Sequence, residues 1–182
     1  MDKVDLLTVN KIKQPSVFMR RRVIDALKGV DESLHFVMDQ EFWLRVALNG
    51  FKYDHIPNER FANFRLIQGT KTFEMGIKFR EEWHERISKV IEEPEFSDLS
   101  AQQKQEILSD SISDLHLQKM MTAEGNWGVI LQEARKALKT NRKLYMNLGF
   151  YKIFLQQLFG SDSDRLGKYK KNLKHTRNGR AL

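Results

Sequence analysis

The sequence predicts a short α/β segment followed by a longer helical extension, an arrangement that is mainly α in the isolated chain. Three observations lead there. Residues 1–72 mix short apolar runs with turn residues, and the hydrophobic spacing becomes helical from about residue 71. The segment 165–182 carries seven Lys or Arg and no acid. The chain therefore divides into residues 1–72, a helical extension over 73–164 and a basic tail over 165–182.

Within the first part, Pro15 stands before a short extended run from Ser16 to Met19, and proline is tolerated where a strand starts. A brief helix over Arg20 to Leu27 would bury Val23, Ile24 and Leu27, and Gly29 suits its C-terminal stop. The next helix spans about Gln40 to Asn49 and stops at Gly50 in the same way. "FKYDHIP" and "RFANFRL" then read as two short strands separated by a turn at Pro57 and Asn58.

In the second part, residues 73–92 carry Ile77, Trp83, Ile87, Val90 and Ile91 before "EEPEFSD" breaks the pattern. Residues 101–122 place Leu108, Ile112 and Leu115 on one face. After a turn at "AEGN", the residues Trp127, Ile130, Leu131, Ala134 and Leu138 form an apolar stripe. "LYMNLGFYKIFLQQLFG" is the most apolar stretch.

Composition narrows the function. The 182 residues have room for one domain or one domain with an appendage. A formal charge of +7 favours phosphates, anionic headgroups or nucleic acid without choosing among them. The absence of cysteine excludes disulfides, thiolate metal sites and a thiol nucleophile. His35, His55, His84, His116 and His175 show no metal-ligand spacing, and neither a GxxxxGKS loop nor a GxSxG elbow occurs. No signal peptide is visible, and no run approaches the roughly 20 apolar residues of a spanning helix.

"GVDESLHFVMDQEFWLRVALNG" concentrates carboxylates around an aromatic helix. Read from residues alone, Asp39 is a helix N-cap, Glu41 in the first turn and Arg45 one turn later are ordinary helix electrostatics, and Phe42, Trp43 and Val46 are core.

The runs "QPSVFMRR", "GVDESLHFVMDQEFWLRVALNGF" and "IPNERFANFRLIQGTKT", in that order over roughly residues 12–72, resemble the C-terminal half of family 2 glycosyltransferases with the GT-A fold. The helical part, with "EARKALKTN", looks like the appendage of bacterial members acting on polysaccharides. The resemblance implies an inverting transfer of sugar from a nucleotide-sugar donor to a sugar or lipid-linked acceptor. Asp39 would be the general base on the acceptor hydroxyl, a role compatible with starting a helix. Arg65 and Lys71 match the segment beside the leaving diphosphate, with a structural ion pair and a solvated helix start as their alternative readings. Gln14 matches the family's "QP" segment that lines the active-site floor, and Trp43 would line either the acceptor site or the core.

Two features depart from the family pattern. Ile67 stands where many relatives have a histidine, and nothing before Lys11 resembles the donor-binding half with its Asp-x-Asp motif. The divalent metal, Mn or Mg, expected of the full-length family is thus not expected on this chain alone, which should transfer little sugar. A split enzyme with its donor half on another chain is the related alternative. Exposed apolar surface and self-association are expected where the donor half would pack. The implied location is cytoplasmic, at the inner face of the membrane, with peripheral contact through residues 144–182. The reading from another class is a basic helical module binding a membrane surface or nucleic acid.

Overall fold

The computed structural model describes residues 3–8, 12–63 and 70–159. The chain forms two compact units, Met1–Leu115 and His116–Leu182. The first holds α1 (Lys3–Thr8), α2 (Arg21–Leu27), α3 (Met38–Leu48), α4 (Lys71–Glu74) and α5 (Gly76–Val90). The boundary falls within α6 (Ala101–Met121), and α7 (Trp127–Thr140) and α8 (Leu148–Phe159) belong to the second unit.

No strand or sheet forms among the described residues, which overturns the α/β expectation: the chain is mainly helical. Gln14–Ser16 is a 3-10 turn instead of a strand entrance. Residues 17–20 and 51–56 have no regular structure, although Val17 and Arg20 keep extended backbone angles. Side-chain exposure still alternates from Val17 to Arg20 and from Phe51 to Asp54, as a strand's would. The missing ingredient is a partner backbone, since a strand is stable only in a ladder. Most of the second expected strand, from residue 64, lies outside the described residues. The turn at Pro57 and Asn58 does form, with Asn58 left-handed at φ 66°.

The core of the first unit is built around α3, which buries Gln40, Glu41, Phe42, Trp43, Leu44 and Val46 and so is covered nearly all round. From α1, Leu6 and Leu7 join this core, and α5 contributes Trp83, Ile87 and Val90 at helical spacing. The Trp83 indole N–H donates to the Leu7 carbonyl at 3.1 Å, which ties α5 to α1. Gly50, at φ 74°, lets the chain leave α3 in a left-handed turn that returns the Phe51 N–H to the Val46 carbonyl.

The second unit packs Ile130, Ala134 and Ala137 of α7 against Met120, Leu144 and Phe150. Asn126 caps α7 by accepting from the Val129 N–H at 3.2 Å. The α7 stripe is narrower than its sequence suggests, because Trp127 and Leu131 stay exposed.

Glu133 is a buried charge in this unit. Its Oε2 lies 2.7 Å from His116 Nδ1, and Oε1 accepts from Lys136 Nζ at 2.7 Å. Burial pushes the carboxyl up, but the hydrogen bonds and charges of Lys136 and His116 outweigh it and hold Glu133 below the usual glutamate pKa. A depressed carboxyl contributes stability that is present above the unfolded-state pKa and lost as pH falls through the folded one. Acid titration followed by Trp127 fluorescence should therefore show this unit loosening on the acid side of the ordinary carboxylate range. Glu133→Gln should flatten that limb; an unchanged acid limb would remove Glu133 as its cause.

Candidate functional site

The segment between α2 and α3 is held from two sides. From α5, the Glu82 carboxylate accepts backbone N–H groups of His35, Phe36 and Val37 at 2.9, 2.6 and 2.9 Å. Three donors at the entrance of α3 are thereby satisfied by a residue 45 positions beyond Val37. From α3 itself, Arg45 donates to the carbonyls of Leu27 and Gly29, both at 2.9 Å. Arg45 also meets both oxygens of Glu41 at 2.9 Å, and Arg86 of α5 reaches Glu41 Oε1 at 3.1 Å. Glu41 is 1% exposed, a fully enclosed carboxylate between two guanidinium groups. At the start of the segment, the Ser33 hydroxyl and backbone N–H bind Asp31 and hold its carboxyl below the usual aspartate range.

Asp39 is placed differently from its sequence reading. The N-cap of α3 is Val37, which has no capping side chain, and Asp39 is the second helical residue. Its Oδ1 accepts the neighbouring Gln40 N–H at 2.8 Å, and its side chain is half-buried. Among the described residues Asp39 forms no ion pair. Glu82 accepts the donors that precede α3, and Asp39 accepts one inside its first turn.

The other candidates divide. Lys71 is exposed at the first position of α4, with its ammonium 5.6 Å from the centre of the Phe36 ring, so it sits over the segment that leads into α3. Gln14 is exposed in its 3-10 turn, where its carbonyl accepts the Val17 N–H. Trp43 is 4% exposed and forms part of the core, but its indole N–H has no hydrogen-bond partner among the described residues. Arg65 and Ile67 lie outside the described residues.

Trp43 also lines a cavity of about 920 Å³, together with Val46, Tyr53, Phe18, Phe61 and Arg20. Neither Asp39 nor Gln14 lines it. The Tyr53 hydroxyl donates to the Trp43 carbonyl, and burial pushes the phenol above its ordinary pKa. Phe18 is 78% exposed at the mouth and meets Phe61 edge-on, 5.2 Å between ring centres. Among the described residues no three His, Asp or Glu side chains gather as a metal site requires.

Sequence reasoning missed Glu82 and Arg86. Both act on residues about 45 positions earlier, and nothing local marks either one. No family model, curated protein or solved structure matches the chain.

Proposed function

We propose that the chain is the acceptor-side part of an inverting glycosyltransferase that uses a nucleotide-sugar, with Asp39 as general base. The supporting observation is the division of roles between two carboxylates two residues apart. Glu41 is enclosed by Arg45 and Arg86, whereas Asp39 remains half-buried and without an ion pair among the described residues. Glu82 takes the three N–H groups that lead into α3, and Asp39 accepts the first-turn Gln40 N–H through Oδ1. A carboxylate fixed on a rigid helix start and outside any described ion pair is what proton abstraction from a hydroxyl requires.

In the reaction Asp39 takes the acceptor hydroxyl proton while that oxygen attacks the anomeric carbon. The bond from that carbon to the nucleoside diphosphate breaks on the opposite face, and the configuration inverts. Lys71 offers a positive charge on the segment leading into α3, where it would offset charge on the leaving diphosphate. The donor half and its divalent metal would be supplied from outside these residues.

Reading the coding DNA upstream of Met1 tests the proposal. An in-frame segment carrying an Asp-x-Asp motif, with sugar transfer by the longer protein, is the expected result. A stop codon close upstream, with no donor half encoded nearby, would overturn it.

A further inference from the structure

Charge is divided unevenly along the chain. Residues 116–182 hold fourteen Lys or Arg against four Asp or Glu, a formal +10. Residues 1–115 hold seventeen against twenty, a formal −3. The basic unit also carries an exposed apolar face. On α8, Phe150, Ile153 and Phe154 turn inward, and Leu148, Tyr151, Leu155 and Phe159 turn outward. Spacings of three and four residues put those four on a single face, with Lys152 among them. Leu148 is 86% exposed and Phe159 71%. Trp127 extends the face by packing edge-on against Phe159 at 5.7 Å.

We infer that this face docks on an anionic lipid surface, with α8 lying in the headgroup region and the basic residues of 165–182 meeting the headgroups. The inference does not depend on the sugar-transfer reading. Two signals coincide in one segment, an apolar helical face and a polybasic run, and stable peripheral anchoring takes two. A second copy of the chain would bring +10 against +10. Nucleic acid would meet the cations but leave Leu148, Leu155 and Phe159 in water, and Tyr169 is the only aromatic of the basic run. Trp127 and Tyr151 have amphipathic rings suited to the boundary between headgroups and acyl chains. No described helix is long and apolar enough to cross a membrane, so the contact is peripheral.

Flotation of the intact chain with vesicles of phosphatidylcholine, with and without phosphatidylglycerol, tests this. The chain should float with the anionic vesicles only, and added salt should release it. Trp127 emission should shift to shorter wavelength, because Trp43 and Trp83 are already buried. Leu155→Ser with Phe159→Ser removes exposed side chains only and should weaken binding about tenfold. Lys170→Glu with Lys171→Glu should weaken it through charge alone. Unchanged flotation of the Leu155→Ser, Phe159→Ser variant would overturn the docking face. Equal flotation with neutral vesicles, or RNA binding without flotation, would overturn the anionic-lipid assignment.

Discussion

Replacing Glu41 with alanine is expected to lower the stability of the first unit by about 3 kcal/mol, the lower end of the range for breaking a buried ion pair. The loss comes less from the missing attraction than from what stays behind. Arg45 and Arg86 are 27% and 24% exposed in their side chains, and Glu41 is the carboxylate both of them touch. Without it two guanidinium groups face each other, partly desolvated. Arg45 would keep the Leu27 and Gly29 carbonyls, and Arg86 would keep Glu93 at 3.9 Å, which moderates the cost. Glu41→Gln keeps the shape without the charge and should fall between alanine and the native residue. Urea unfolding followed by the emission of Trp43 and Trp83, both in this unit's core, measures the effect. A change below about 0.5 kcal/mol, the level of an ordinary surface substitution, would show that the triad is structurally idle.

The same triad shows how far the sequence could be read. Its i,i+4 half was legible, since Glu41 and Arg45 stand one helical turn apart and do pair. Its burial was not, because an i,i+4 pair usually lies on a surface and the third member, Arg86, is 45 residues away. The helix stops at Gly29 and Gly50 were legible for a related reason. A cap needs only its neighbours, and the left-handed turn at Gly50 is fixed by the absence of a Cβ. The strands failed on the opposite ground. Alternation from Phe51 to Asp54 is real, but a ladder needs a second backbone, and none pairs there among the described residues. Extended geometry is a local property of those residues, and sheet formation is not. Asp39 falls between the two cases. Its place at a helix start was readable, but the identity of the cap was not, because Glu82 arrives from α5.

If the proposed sugar transfer holds, Asp39→Asn in a longer protein that carries a donor half should reduce kcat by about 10²- to 10⁴-fold, the usual contribution of a positioned general base. Stability should change by less than about 1 kcal/mol, the scale of a lost charge near a helix N-terminus. The amide oxygen of asparagine can still accept the Gln40 N–H, so the local geometry survives the substitution. Donor binding should persist, because the removed group acts on the acceptor. Glu41→Gln should behave in the reverse way, losing stability and affecting transfer only through folding. That crossing separates a catalytic carboxylate from a structural one in the same motif. If Asp39→Asn costs as much stability as Glu41→Gln, Asp39 is part of the scaffold. If stability and transfer both survive, the base lies elsewhere and the motif resemblance does not extend to this position. If stability and donor binding hold while transfer collapses, proton abstraction is the remaining role for a carboxylate that no described ion pair engages.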